Sequence, residues 1–181
     1  SAARPQIPGP LGRAAKKGGT SLGVRPAQYV DVGAYCTQLG TVMAIALRIA
    51  QGPYKRKAFD GRGVGVFTNR TPTDAYRGAG RPEATYLIER VMDLVAQEVG
   101  LDPVDVRRKN FVPVAEQPFT NLFGLTYDSG DSRITLDKAL TLVDYPAFRR
   151  EQAEARKKGK YLGIGFSTYL EICGLGPSVA T

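Results

Sequence analysis

The chain has 181 residues, 43% of them hydrophobic, and contains no histidine. That suffices for one packed domain but excludes Ser-His-Asp or Cys-His catalysis and imidazole metal ligands. The net charge of +8 is uneven, because residues 1–30 carry Arg4, Arg13, Lys16, Lys17 and Arg25 and no acid, so charge alone is no argument for nucleic-acid binding.

Residues 1–28 hold Pro5, Pro8, Pro10 and Pro26 with few large apolar side chains. Such a composition buries too little surface to offset its ordering entropy and reads as a flexible basic arm. No apolar run of about eighteen residues occurs anywhere, so no membrane partner and a cytoplasmic setting are expected. The first strand pattern is Tyr29–Tyr35, where Val30, Val32 and Ala34 alternate with Asp31 and Gly33. Apolar residues from Gly40 to Ala50 predict a short buried helix stopped by Gly52-Pro53, and Gly63–Phe67 predicts a short strand. Gly61, Gly63 and Gly65 fall within a strand-like run and mark close backbone packing rather than a binding loop.

Pro82 suits the first turn of a helix, and Leu87, Ile88, Val91, Met92, Val95 and Val99 recur at helical spacing until Gly100. Asp102-Pro103 reads as the cap and first residue of a second helix that ends near Arg107, Arg108 and Lys109. An irregular stretch spans Gly124 to Ser132, and a sub-boundary is expected near 112–130. Leu136–Val143 and Pro146–Lys158 then read as helices, the second with a solvated charged face. From Leu162 to Ile172 apolar residues alternate with Gly163, Gly165, Ser167, Tyr169 and Glu171, a strand pattern. The fold class expected is α+β, with mixed strands and helices. Cys36 and Cys173 suggest neither a disulfide framework nor a zinc site and are expected to be small buried apolar residues.

Arg77-Gly-Ala-Gly-Arg81 lies directly before a helix N-terminus. Two glycines, a helix dipole and two guanidinium groups can converge there on an anion such as phosphate. The spacing fits neither a dinucleotide fingerprint, since Glu83 stands where the third glycine belongs, nor a P-loop. The same residues also suit a tight exposed turn with solvated arginines, and composition leaves both readings open. Asp74 and Glu171 are read as a turn residue and an exposed strand residue, not as catalytic acids.

The stretch Phe67-Thr-Asn-Arg-Thr-Pro-Thr-Asp-Ala-Tyr-Arg-Gly-Ala-Gly-Arg-Pro-Glu-Ala-Thr-Tyr-Leu-Ile-Glu-Arg90, continued by Gly100-Leu-Asp-Pro-Val-Asp-Val-Arg-Arg-Lys-Asn-Phe111, resembles the large, molybdopterin-binding subunit of the molybdenum hydroxylases. That family comprises the xanthine dehydrogenases, aldehyde oxidases and aerobic carbon monoxide dehydrogenases. The likeness extends to Asp31–Tyr35, Tyr127–Asp131 and Gly163–Glu171, and so over about residues 29–178, while residues 1–28 show no match. The resemblance implies that residues 29–181 are a partial molybdopterin-binding domain, an internal fragment of a larger subunit. It implies that Ala75, Tyr76, Arg77, Gly78, Ala79, Gly80 and Arg81 bind the cofactor, with Arg77 in the substrate and metal pocket.

Aerobic carbon monoxide dehydrogenases proper carry Ala-Tyr-Arg-Cys-Ser-Phe-Arg here, with the cysteine holding copper. This chain has Gly78 at that place, so copper is not expected, and an aldehyde or N-heterocycle is the implied small-molecule substrate. The implied cofactor is the molybdenum-pterin group, the cytosine dinucleotide form included. The implied partners are the remainder of the large subunit and iron–sulfur and FAD subunits, which carry electrons away after water-derived oxygen is inserted. The family's general-base glutamate is expected beyond Thr181, so the chain is expected to be inactive alone. The competing reading is a small non-catalytic protein that binds anions or nucleic acid through its basic arm. That arm lacks aromatic residues before Tyr29, so nucleic acid is not an expected partner.

Overall fold

The computed structural model describes residues 12–35, 39–72 and 74–172; Cys36 and Cys173 lie outside the described residues. The chain folds as a mixed α+β unit around one long helix, α2 (Arg81–Val99). Pro82 lies in its first turn, and Gly100, in the left-handed conformation, closes it by donating to Ala96 and Gln97 carbonyls. Ala84, Leu87, Ile88, Val91, Met92, Val95 and Ala96 are all buried. At about 1.5–3 kcal/mol for each fully buried large aliphatic side chain, this helix is the main source of hydrophobic stabilisation.

Against it pack α3 (Pro103–Asn110), through Val104 and Val106, and α4 (Ser132–Leu142), through Leu136 and Leu140. α3 begins as expected, with the Asp102 carboxylate accepting the Val104 amide at 2.8 Å. α4 starts four residues ahead of the apolar pattern, because Asp131 caps it by accepting from Arg133. Between them Val114–Glu116 form a 3-10 turn, and β6 (Phe119–Thr120) and β7 (Thr126–Tyr127) form a two-stranded hairpin. One core cluster runs from α2 and α3 into α4, across the stretch where a sub-boundary was expected. α5 (Tyr145–Lys157) lies on the outside with no fully buried residue, as its charge pattern predicts.

The strands form small sheets. β3 (Ala27–Gly33) pairs in parallel with β5 (Arg62–Phe67), and α1 (Leu39–Ile49) packs on both. A side chain at Gly63 would meet the Met43 sulfur at 2.6 Å, so the glycine of β5 serves close packing, as the sequence suggests.

The N-terminal stretch departs from the flexible arm. β1 (Gly12–Ala15) and β2 (Ser21–Arg25) form an antiparallel pair, and β2 pairs in parallel with β4 (Ala58–Phe59). Order therefore begins well before residue 29. The cause is not composition but long-range anchorage. Buried Asn110 donates to the carbonyls of Gly19 (2.8 Å) and Val106 (2.7 Å), and its side-chain oxygen accepts the Ser21 amide at 2.7 Å. Two of the stretch's cations are also engaged, Arg13 by Glu98 (2.6 Å) and Arg25 by Asp60 (2.7 Å), which detracts from a free basic arm.

Asn110→Ala leaves the Ser21 amide and the Gly19 carbonyl without their buried partner. The expected loss is about 2–3 kcal/mol of stability in urea unfolding. Faster hydrogen exchange should be concentrated in Ser21–Arg25, and unchanged exchange there would show that β2 is held otherwise.

Candidate functional site

The loop between β5 and α2 is fixed at both ends and open in the middle. At its start the Asp31 carboxylate accepts from the Thr68 hydroxyl at 2.6 Å and the Gly33 amide at 3.0 Å and pairs with Arg70 at 3.6 Å. Backbone bonds from Thr68 to Gly33 and from Ala34 to Arg70 complete this junction. The Thr68 hydroxyl first, then the Gly33 amide, hold the Asp31 carboxyl below its ordinary value of 3.8; desolvation works against them, and Arg70 adds a smaller lowering.

At the other end two overlapping turns, Ala79 amide to Tyr76 carbonyl (2.8 Å) and Arg81 amide to Gly78 carbonyl (2.9 Å), lead into α2. Gly78 and Gly80 both have positive φ, 83° and 81°. A side chain on Gly80 would come within 2.8 Å of the Val42 carbonyl and 2.9 Å of the Ala46 amide, so only glycine lets the loop lie on the backbone of α1. Gly78 faces open space, with nothing within 4 Å.

The structure brings the seven residues singled out in the sequence into one turn, but not equally. Ala75, Tyr76 and Arg77 are exposed, Tyr76 at 89%. Ala79 packs on Val32 and Val42, and Gly80 is buried. Arg81 does not reach outward with Arg77. Its guanidinium pairs with Glu171 and donates to the Ile172 carbonyl at 2.7 Å. No side chain caps the N-terminus of α2; backbone carbonyls of Gly78 and Gly80 take the Arg81 and Ala84 amides and Pro82 has none, which leaves the Glu83 amide and the positive end of the dipole at this terminus. Asp74 is exposed and accepts the amide of Ala75, as a turn residue does.

A cavity of about 770 Å³ adjoins this turn. Gly78 and Arg81 form one end of it, Tyr86, Glu89 and Asp93 of α2 one side, and Phe166 and Tyr169 the other. Along 161–172 half-buried Leu162, Ile164, Phe166 and Thr168 alternate with exposed neighbours. The burial alternation is as expected, but among the described residues no strand forms there.

Sequence reasoning missed Glu89 and Arg107. Glu89 is 5% exposed; it accepts from Tyr54 Oη (2.5 Å), Arg107 Nε (2.9 Å) and the Thr168 amide (3.0 Å). An acid between the core positions Ile88 and Val91 was the available signal. Among the described residues no group of three or more acidic, histidine or cysteine side chains is placed to hold a metal, and no helix is long and apolar enough to cross a membrane.

Residues 4–111 match the molybdopterin cofactor-binding domain family, and the chain belongs to that family. The match begins ahead of residue 29, where the likeness was expected to start. The chain is 40% identical over 172 residues to the carbon monoxide dehydrogenase large chain of Hydrogenophaga pseudoflava, covering 91% of this chain and 21% of that one. It is 39% identical over 165 residues to the nicotine 6-hydroxylase large subunit of Paenarthrobacter nicotinovorans, covering 89% and 20%. Quinoline 2-oxidoreductase of Pseudomonas putida 86 shares the fold with a TM-score of 0.79 at 36% identity, over 88% of this chain and 21% of the other. The chain therefore corresponds to about a fifth of a molybdenum hydroxylase large subunit.

The Asp31 junction carries a pH signature. A carboxyl held lower in the folded state stabilises the fold above its unfolded value, and this contribution disappears as pH falls through the folded value. Asp31→Asn should lower the melting temperature near neutral pH, and the gap from the parent should close as the pH falls below the ordinary carboxyl value of 3.8. A gap that stays constant with pH would mean that the charge of Asp31 contributes nothing.

Proposed function

We propose that the chain is the loop-bearing part of the cofactor site in the catalytic subunit of a molybdenum hydroxylase acting on an aldehyde or N-heterocycle. Its relatives' names describe large chains of multi-subunit enzymes, among them a nicotine hydroxylase. Turnover in this reading requires the rest of the large subunit, with iron–sulfur and FAD subunits as electron acceptors.

The observation that carries the reading is the open turn Tyr76–Gly80. Its donors are the exposed Arg77 guanidinium and the positive end of a 19-residue helix with no side-chain cap, a set that suits an anionic group such as the phosphate of a pterin cofactor. When bound, the molybdenum-pterin group supplies the two-electron oxidation with oxygen taken from water. The chain's own residues do the holding. Arg77 offers its charge to an anionic or polar group, and Gly78 leaves space beside it where a side chain would stand. Arg81, held by Glu171, fixes the end of the turn. Gly78 offers no thiolate, so the reading includes no copper.

The test uses the assembled enzyme and reads molybdenum by mass spectrometry and pterin by fluorescence after oxidative release; the mass of any nucleotide released tells the mono- from the dinucleotide form. Arg77→Ala should lower molybdenum and pterin content or raise KM for the substrate by at least about tenfold, the scale of one charge-assisted contact, with helix content unchanged. Parent-like content and kinetics would remove Arg77 from the site. The isolated chain should reduce no dye with aldehyde or heterocycle, and substrate-dependent reduction would show it to be a self-sufficient catalyst.

A further inference from the structure

On the reading of Tyr76–Gly80 as the site turn, on which this rests, we propose that residues Val42–Ala46 of α1 are the seat that sets where Arg77 stands, with Gly80 and Ile45 as its positioning residues. Two contacts fix α1 against α2. A side chain on Gly80 would meet the Val42 carbonyl at 2.8 Å, the Ala46 amide at 2.9 Å and Ile45 Cγ2 at 3.1 Å. An α-helix joins that carbonyl and that amide by its own hydrogen bond, so Gly80 lies flat on one turn of α1. Just past the end of α1, a side chain on Gly52 would lie 3.5 Å from Ile88 Cγ2. From Val42 to Gly52 and from Gly80 to Ile88 the chain runs the same way. α1 and α2 are therefore parallel, and the site turn enters α2 along the flank of α1.

α1 cannot give way to the turn. Met43 and Leu47 already lie on bare backbone at β5: a side chain on Gly63 would meet the Met43 sulfur at 2.6 Å, and one on Gly61 would meet Leu47 Cδ2 at 3.1 Å. α2 is held by its buried face from Ala84 to Ala96. Close-packed elements pass strain on rather than absorb it. A methyl group at position 80 therefore moves the turn, by roughly 0.6 Å if it is to regain an ordinary contact of 3.4 Å with the Val42 carbonyl. The overlapping turns Tyr76 to Ala79 and Gly78 to Arg81 share Gly78 and Ala79, so they carry that displacement to Arg77. Every support in this series lies between residues of the chain itself, so it does not depend on what covers the turn from outside.

The test uses the assembled enzyme and two alanines placed at like backbone conformations. Gly80 has φ 81° and Gly100, at the far end of α2, has φ 68°, with nothing within 4 Å among the described residues. Gly80→Ala should speed hydrogen exchange in the peptide covering residues 76–81. It should also make molybdenum and pterin leave about tenfold faster on dialysis, the scale of a sub-ångström misplacement. Gly100→Ala should change neither. Ile45→Ala, which removes the Cγ2 beside Gly80, should act as Gly80→Ala does, and Ile45→Val, which keeps it, should stay at the parent's values. If Gly80→Ala does not fold, the Ile45 pair decides by the same criteria. Equal effects of Gly80→Ala and Gly100→Ala would overturn the proposal, since backbone strain and not α1 would then be the cause. So would faster cofactor loss in Arg77→Ala beside parent-like behaviour in Gly80→Ala and Ile45→Ala. Faster exchange at 76–81 with parent-like cofactor retention in all of these variants, Arg77→Ala included, would remove the cofactor reading and the proposal with it.

Discussion

The buried pair of Glu89 and Arg107 is the constraint on which the rest of the structure hangs. The Arg107 side chain is fully buried and that of Glu89 is 6% exposed. Removing either charge from water costs several kcal/mol, which a single ion pair does not reliably return. The arrangement is sustained by saturation of both groups. Arg107 donates to Glu89, to Asp93 and to the carbonyls of Pro103, Glu89 and Phe166, while Glu89 collects Tyr54, Thr168 and Arg107. Burial alone would lower the Arg107 pKa, but Glu89, Tyr54 and Asp93 outweigh it and hold the guanidinium charged. The Tyr54 hydroxyl is pushed well up by burial and by Glu89, which keeps it protonated as a donor to that carboxylate.

Because the pair's partners come from α2, α3, the Tyr54 segment and the segment Phe166–Thr168, it decides how these parts meet. Apolar packing of α2 is non-directional and would tolerate sliding; a carboxylate with four fixed donors does not. Arg56 extends the network on the other side. It donates to Gln51 and Ser21 rather than to a carboxylate and lies 5.1 Å from the centre of the Tyr54 ring. Burial pushes it down to about 10, still charged near neutrality. Ser21 belongs to β2, so the strands near the N-terminus are tied to the same centre.

The legible features in the sequence were local ones. Pro82, Gly100 and the Asp102 cap mark α2 and α3 because their signals lie within a few residues of the ends they set. The site turn was legible as a candidate anion site for the same reason. β1 and β2 were not, because Ser21 and Gly19 owe their order to Asn110, about ninety positions away. The pattern at 162–172 foretold which side chains are half-buried but not that no strand forms among the described residues, since alternation reports which side is buried and not what pairs along the edge. Arg107 reads in sequence as one more cation near a helix end, and Arg81 as a twin of Arg77. Only the packing shows Arg107 as the centre of the core and Arg81 as a clamp.

This division between Arg77 and Arg81 gives the turn its character. A binding loop needs ends that do not move and a middle that a ligand can reach. Asp31 secures the entrance through Thr68, Gly80 lies directly on the backbone of α1, and Arg81 is drawn aside to Glu171. Had both arginines stayed free, the turn would carry two solvated charges on a flexible hinge. With one of them engaged by Glu171, Tyr76, Arg77 and Gly78 project from a fixed base, and the same ion pair joins that base to the far side of the cavity.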